Sequence, residues 1–375
     1  MPESRDQAFM RAALALARRG LGRTAPMPSV AALVVDESRD PPVVLGRGLT
    51  APGGRPHAEA NALIQAGAAA RGATMYVTLE PCARRSERVY GPSCTERILE
   101  AGIARVVIGA ADPSPFAAGE GSARLRAAGI PVEDGVLGME AAELNRGHCQ
   151  RVRLNRPFTR VKLAQTADGF AATPDRRPIA ITGEEARTYV HRLRADADAL
   201  VTGIGTVLAD DPLLDVRLPG MADWSPLRVV LDTAGRIDPA ARLVRDAGRV
   251  PVVIMTAEPV AVQARLAGLP DVEVLAIPRA GDRLDLAAAM GALAARGITR
   301  VLVEAGPTLA DAMMKAGLCD ELVLLTGPNV AGAGLKAIGP ALADQLENAN
   351  IGEERMIGPD RLQVFSMRNP EVAGS

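Results

Sequence analysis

The first 150 residues alternate between two hydrophobic periods. Positions 7–19 are Ala- and Leu-rich with polar residues at helical spacing and end at Gly20, which predicts a helix closed by a glycine. Two Val-rich runs, 30–35 and 43–49, flank a polar, Pro-containing stretch at 36–42 and predict two strands joined by a turn. The pattern continues with a helix at 58–69, a strand at 74–79, a helix at 94–101, a strand at 105–110, a helix at 122–128 and a strand near 131–136. Strands alternating with helices imply a largely parallel sheet covered on both faces.

A boundary is predicted near 147–157, where the chain turns basic, loses a clear period and ends in Pro157. This divides the chain into a domain at 1–147, a linker at 148–157 and a second α/β domain at 158–375. Beyond the boundary the alternation restarts. Strands are predicted at 160–165, 199–203, 227–232, 250–256, 272–277, 300–304, 321–326 and 362–367, with helices at 184–195, 284–296 and 308–316.

Composition narrows the function classes. With 375 residues, 48% hydrophobic and 23% charged, the chain has ample material for packed cores. No apolar run approaches the roughly 18 residues of a transmembrane helix, so no membrane role is expected. The polar start, Met1 to Gln7, is unlike a secretory leader. A net charge of −1 and 2% aromatic residues argue against nucleic acid as a partner, which needs a basic surface or stacking platforms. A cytoplasmic enzyme acting on a small molecule is the expectation. Only three histidines and four cysteines are present, so a site built on either type draws on seven residues.

Four of the residues at element boundaries form a chemical pattern. Pro56-His57-Ala58-Glu59 stands at the start of a predicted helix, and Leu79-Glu80-Pro81-Cys82 at the end of a predicted strand. Cys94 follows Ser93, which has capping-box spacing to Glu96, so Cys94 becomes a first helical residue facing free backbone N–H groups. That position favours a thiolate. One imidazole (His57) and two thiolates (Cys82 and Cys94) would leave the fourth position of a zinc ion to water, whose pKa falls to about 7. Glu59 would then take the water's proton and deliver it to a ring nitrogen and departing amine. The spacing works only if His57 precedes the regular helix, because residues two apart on a helix face different ways. Zinc deaminases carry His-x-Glu followed by Pro-Cys-x-x-Cys; here eleven residues separate the cysteines. Taken singly, these residues also read as small buried thiols and a capping histidine. His148, Cys149 and Cys319 are read as structural.

The first domain resembles the deaminase half of the bifunctional riboflavin-biosynthesis deaminase–reductase family, RibD. The resemblance is carried by Phe9 to Ala13, Arg55-Pro56-His57-Ala58-Glu59, Gly72-Ala73-Thr74, Tyr76 to Cys82, Ala101 to Val107 and Asp112-Pro113-Ser114-Pro115. The second domain carries Val161-Lys162-Leu163-Ala164, Ala167-Asp168-Gly169, Ile181-Thr182-Gly183, Leu193-Arg194, Gly203 to Leu214, Val216-Arg217 and Val303 to Leu309. By themselves, Gly203-x-Gly205 is a weak signal and the glycine turn at 306 reads either as a phosphate site or as an ordinary strand-to-helix connection. Their order resembles the reductase half of the same family.

The resemblance implies a cytidine-deaminase-like three-layer α/β/α domain followed by a dihydrofolate-reductase-like α/β domain, with zinc and NADPH as cofactors. It implies that Thr206, Asp210, Gly306, Pro307 and Thr308 bind NADPH and that Ala164 lines its site. Arg194, Leu214, Arg217 and Glu304 would face the phosphoribosyl substrate, the arginines because guanidinium pairs with phosphate at two points. His191, on the helix of Arg194, reads as packing. The implied reactions are deamination of 2,5-diamino-6-(5-phosphoribosylamino)pyrimidin-4(3H)-one, then NADPH reduction of 5-amino-6-(5-phosphoribosylamino)uracil to the ribitylamino product. A homo-oligomer is expected.

The chain departs from the family pattern at its recognition walls. Pro26-Met27-Pro28 stands where the family has Pro-Asn-Pro, an Asn expected to hold the pyrimidine. The Cys82–Cys94 loop is three residues longer than the family's and lacks its histidine, while offering Arg84, Arg85 and Arg88 as a replacement anion site or a solvated charged loop. In the second domain, the family's Ser-Leu-Asp-Gly-Arg reads Thr166-Ala167-Asp168-Gly169-Phe170, and Ala180 replaces its tryptophan. Three readings stay open: the bifunctional enzyme, a paralogue with another aminopyrimidine substrate or one surviving activity, and a zinc-stabilised scaffold.

Overall fold

The protein is described by a computed structural model that covers residues 3–84, 91–175, 177–304, 306–347 and 349–367. Two units separate along the chain, Met1–Arg156 and Pro157–Ser375.

The first unit runs α1 (Arg5–Arg18), β1 (Ala31–Asp36), β2 (Val43–Leu49), α2 (Ala58–Ala66), β3 (Thr74–Leu79), α3 (Cys94–Ala101), β4 (Arg105–Ala110), α4 (Glu120–Ala127), β5 (Val132–Asp134) and α5 (Gly138–Leu154). Its sheet has the order β2-β1-β3-β4-β5. Strands β3, β4 and β5 are parallel, but β1 is antiparallel to both β2 and β3. The expectation of a largely parallel sheet therefore needs correction here. Six residues join β1 to β2, enough for a hairpin and far short of a crossover. One face of the sheet packs Ala58, Ala62, Ile98 and Leu125 from α2, α3 and α4. The other face packs Met10, Leu14, Ala141 and Leu144 from α1 and α5. The unit is thus three-layered.

Helix α2 lies on β2 in backbone contact. A Cβ at Gly48 would overlap the Ala58 carbonyl oxygen, and one at Gly46 would overlap the Ala62 carbonyl oxygen. The Ala58, Ala62 and Ala66 stripe of the helix completes this close approach. Residues 148–154, read as part of a linker, instead finish α5. The buried face of α5 contains Asn145, Gly147, His148 and Gln150, and its N-cap Leu137 offers no side-chain cap, so neither apolar period nor capping residue announces it.

The second unit runs β6 (Phe158–Gln165), β7 (Phe170–Ala172), α6 (Glu184–Ala195), β8 (Ala199–Gly203), α7 (Ile204–Asp210), β9 (Leu227–Leu231), α8 (Arg242–Arg245), β10 (Val252–Thr256), α9 (Pro259–Arg265), β11 (Val272–Ala276), β12 (Arg279–Ala280), β13 (Arg283–Leu284), α10 (Leu286–Ala295), β14 (Arg300–Glu304), α11 (Pro307–Lys315), β15 (Glu321–Thr326), β16 (Leu335–Lys336), α12 (Pro340–Leu346), β17 (Asn350–Ile357) and β18 (Asp360–Ser366). Its main sheet has the order β11-β10-β9-β8-β14-β6-β15-β18-β17. It is parallel from β11 to β15, and β18 and β17 close it antiparallel. Helices α10 and α11 cover one face through Met290, Leu293, Met313 and Met314. Helix α6 covers part of the other through Val190 and Leu193, and α7 to α9 cover the rest through Val207, Leu243 and Val262. No helix among the described residues is long and apolar enough to cross a membrane.

Candidate active sites

His57 is the N-cap of α2, with extended backbone (φ −70°, ψ 161°), so it stands just outside the regular helix as the His-x-Glu spacing requires. Glu59, one residue inside, is buried at 3% exposure. Cys82 follows the C-terminal end of β3. Cys94 opens α3, and the reciprocal Ser93–Glu96 capping box fixes that start. Its N–H donates to Cys82 Sγ at 3.4 Å.

These elements bring His57 Nδ1 to 3.3 Å from Cys94 Sγ and 3.8 Å from Cys82 Sγ. All three ligand atoms lie within 4.8 Å of one another, and they form the one such group among the described residues. Bonds of about 2.0–2.3 Å to a tetrahedral zinc place ligand atoms about 3.5–3.8 Å apart. The observed spacing fits that ion, and Nδ1 is the nitrogen aimed at both sulfurs. The Cys82 thiol is pulled down to about 4, first by its hydrogen bond with Cys94 and then by His57, while the Cys94 thiol is pushed up by the same contact. The pair shares one proton, and the anionic sulfur is the one a cation needs. Burial pushes the Glu59 carboxyl up, against the pull of His57. A proton-carrying group is what the donor set lacks otherwise.

Met27 packs on Gly54, three residues before His57: a Cβ there would sit 2.6 Å from Met27 Cγ, so its methylenes lie against the turn leading into α2. Arg84 is occupied by Glu120, with Nε donating at 2.7 Å to Oε2 and a second contact to Oε1; it does not stand free as an anion site. Arg85 and Arg88 lie outside the described residues. His148 is buried 2.9 Å from Asp112 and stands apart from the metal group, as do Cys149 and Cys319.

The second unit contains a cavity of about 780 Å³ at the carboxyl ends of β6, β8, β9 and β14, the place where open α/β sheets hold ligands. Ala164, Thr206, Asp210, Gly306, Pro307, Thr308, Arg194, Leu214 and Glu304 all line it. Gly306 caps α11 with Pro307 as its first residue, leaving the helix N-terminus open to the cavity. Burial raises the Asp210 carboxyl.

Arg217, expected to face substrate, is not brought to this wall. The chain turns at Leu214, a non-glycine residue at φ 55°, and Arg217 ends 3.5 Å from Asp215 with its side chain 61% exposed. His191 accepts the Arg217 N–H at 3.3 Å. Arg194 lines the cavity, but its guanidinium is bidentate on Glu304 at 2.6 and 2.9 Å and donates to the Asp215 carbonyl at 2.8 Å. Its two-point geometry is spent on a carboxylate of the protein. Burial opposes ionisation of Glu304, yet Arg194 and Lys162 bring its carboxyl below the usual range.

Lys162 is the residue that sequence reasoning missed. It lies in register with Glu304 across β6 and β14 and lines the cavity. Burial lowers its amine, with Glu304 opposing. The available signal was a lysine set between Val161 and Leu163 in a central strand.

Comparison with known proteins gives the same division. Residues 3–110 match the cytidine and deoxycytidylate deaminase zinc-binding region, and residues 157–354 match the RibD C-terminal domain. The chain is 37% identical over 372 residues to the riboflavin biosynthesis protein RibD of Escherichia coli, covering 95% of this chain and 97% of that one. It is 36% identical to the Mycobacterium tuberculosis RibD over 91% of each. Among solved structures, Acinetobacter baumannii RibD superposes with a TM-score of 0.84 at 34% identity, covering 97% of this chain and 99% of that one. A Thermotoga maritima diaminohydroxyphosphoribosylaminopyrimidine deaminase/5-amino-6-(5-phosphoribosylamino)uracil reductase superposes with a TM-score of 0.82 at 30% identity over the same shares.

Proposed function

The chain belongs to the RibD family of riboflavin-biosynthesis deaminase–reductases, and on that footing we propose which of its residues carry each step. The protein is a bifunctional enzyme with a deaminase unit followed by a reductase unit, and zinc and NADPH are its cofactors. Its substrate is a small phosphoribosylamino-pyrimidine. The observation that carries the residue assignment is the convergence of His57, Cys82 and Cys94 beside the buried carboxyl of Glu59.

His57, Cys82 and Cys94 hold zinc. When bound, zinc supplies a water acidic enough to attack at neutral pH. Glu59 accepts a proton during attack at the amine-bearing ring carbon and passes it to the ring nitrogen, then carries a second proton from the new hydroxyl to the departing amine, which leaves as ammonia. Its burial raises its affinity for that proton, which suits a shuttle.

In the reductase cavity, NADPH supplies a hydride when bound. Reduction at the ribosyl C1 would break its bond to the ring oxygen, and that oxygen would need a proton as the sugar opens. Lys162 is placed to give it, since burial makes its ammonium a better acid and Glu304 holds it in register. Arg194 keeps Glu304 ionised and oriented. Thr206, Asp210 and the Gly306–Thr308 turn are assigned to the dinucleotide, with Ala164 and Leu214 as apolar walls.

Incubating the protein with the diaminopyrimidinone phosphoribosyl compound, with and without NADPH, tests the whole reading. Ammonia release without NADPH, followed by NADPH oxidation when it is added, is expected. The packing of Met27 on Gly54 favours a second reading of substrate preference: a deaminase whose pyrimidine pocket is weakened or shifted. The cytoplasm and a homo-oligomeric state complete the proposal; four unpaired cysteines suit a reducing compartment, and light scattering would measure the assembly.

A further inference from the structure

The segment that carries Cys82 is fastened to a helix that supplies no ligand, and the fastening runs through Glu80. Helix α4 has no side-chain cap of its own, because its N-cap is Gly119, at φ 87°. Glu80, 5% exposed and two residues before Cys82, supplies the missing acceptor from the end of β3. Its Oε2 accepts the Gly119 N–H at 3.0 Å and its Oε1 the Ser122 N–H at 3.2 Å, with a longer contact from the Asp112 N–H at 3.5 Å. The first two are free donors of a helix start, which a carboxylate satisfies well.

The same fastening leaves Cys82 little slack. A Cβ at Gly121, in the first turn of α4, would overlap the Pro81 carbonyl oxygen, so helix and ligand segment meet backbone to backbone. Beyond the ligand, the Ala83 N–H donates to the Phe116 carbonyl at 2.9 Å. The Cys82 carbonyl accepts from the Thr95 N–H at 3.2 Å and from the Thr95 hydroxyl at 3.0 Å. Among these ties, Glu80 contributes the side chain that joins the ligand segment to α4. We infer that Glu80 is a positioning residue for the metal centre: by capping α4 it fixes where β3 hands over to Pro81-Cys82, and so sets the place of Cys82 Sγ relative to His57 and Cys94. The inference rests on the zinc reading above. A sulfur held in place before the ion arrives binds it more tightly than one the ion must order.

Zinc affinity of the full chain, measured by competition with a chelator, and the urea midpoint of the metal-free chain separate positioning from stability. Glu80→Gln sets an amide NH2 against backbone donors and should weaken zinc by about tenfold, the lower end for a residue that orients a metal ligand. Its cobalt(II) form should show shifted thiolate absorption bands, while NADPH oxidation on pre-deaminated substrate stays at the wild-type rate. Glu80→Asp keeps the charge but falls one methylene short. It should weaken zinc by a smaller factor, and it decides the question by the same measurements if the Gln variant does not fold. Leu125→Ala, which opens a cavity where α4 meets the sheet, should lower the urea midpoint further yet keep zinc affinity and the cobalt spectrum near wild type. Wild-type zinc affinity with an unshifted cobalt spectrum in Glu80→Gln, or a loss of affinity in Leu125→Ala as large as in Glu80→Gln, would overturn the inference. Wild type that takes up no zinc would instead overturn the metal reading, and this inference with it.

Discussion

The two sites of this enzyme are built by opposite means. The deaminase site is small: three ligand atoms within 4.8 Å, each set by a local device such as an N-cap, a strand end or a capping box. The reductase site is a cavity of about 780 Å³ whose walls come from strand ends, a left-handed turn, a helix N-terminus and a hairpin. A metal centre depends on a few scarce side chains at set distances. A cofactor cavity depends on the register of a whole sheet, which here sets Lys162, Arg194 and Glu304 to act on one another. Mutations should therefore act on the first site abruptly and on the second by degrees.

The sharpest way to break that comparison is at Cys94. Cys94→Ser should abolish zinc binding, measured as metal per chain, and with it ammonia release, while NADPH oxidation on pre-deaminated substrate stays near wild type. Full metal content in that variant would mean that another residue completes the site. Next in size, Glu59→Gln should keep zinc and lower deamination by about 10²–10⁴, the range of a positioned acid–base group. Reductase turnover serves as its internal control.

Effects in the second unit should be graded. Lys162→Gln should reduce the rate of hydride transfer by about a hundredfold and leave ammonia release alone; an unchanged single-turnover rate would remove Lys162 from proton delivery. Arg194→Ala leaves buried Glu304 without its partner, which should cost about 3 kcal/mol of stability in the second unit, read as a lower urea midpoint. The Glu304 carboxyl is ionised more easily when folded than when unfolded. Its contribution is thus complete above its unfolded value near 4.5 and fades as pH falls through the lower, folded one. Arg194→Ala should flatten that acid limb of the stability curve. The smallest effect is expected at Met27. Restoring a donor and acceptor with Met27→Asn should improve deaminase kcat/KM by up to about tenfold, the scale of one unsatisfied polar group. No gain would return the pocket to ordinary family behaviour.

Legibility in the sequence followed the same divide. His57, Glu59, Cys82 and Cys94 could be read because histidine and cysteine are rare in this chain and each lies at a boundary marked by Pro56, Pro81 or Ser93. Eight of the nine strands of the second unit's main sheet were also legible from their apolar runs, whereas β17, exposed over nearly all its length, was not. Helix α5 was not, because Asn145, His148 and Gln150 interrupt the buried face that Ala141 and Leu144 begin. Lys162 and the loss of Arg217 from the cavity escaped for a different reason. One depends on pairing with β14, far away in sequence, and the other on a left-handed turn at Leu214, a non-glycine residue whose type does not announce it. The antiparallel placement of β1 was recoverable from the short 36–42 connection and was masked by the alternation around it.

The bare backbone seam between α2 and β2 governs how such an enzyme can diversify. Gly46 and Gly48 seat the helix that His57 caps and that carries Glu59 in its first turn. In a mutational library, these two positions should behave like metal ligands, rejecting even alanine, although neither carries a side chain. Met27 is not among the atoms that close on Gly46 or Gly48. Lineages can therefore exchange the residues that choose a pyrimidine while inheriting the hydrolytic centre intact, and it is the pair of glycines that keeps those two histories separate.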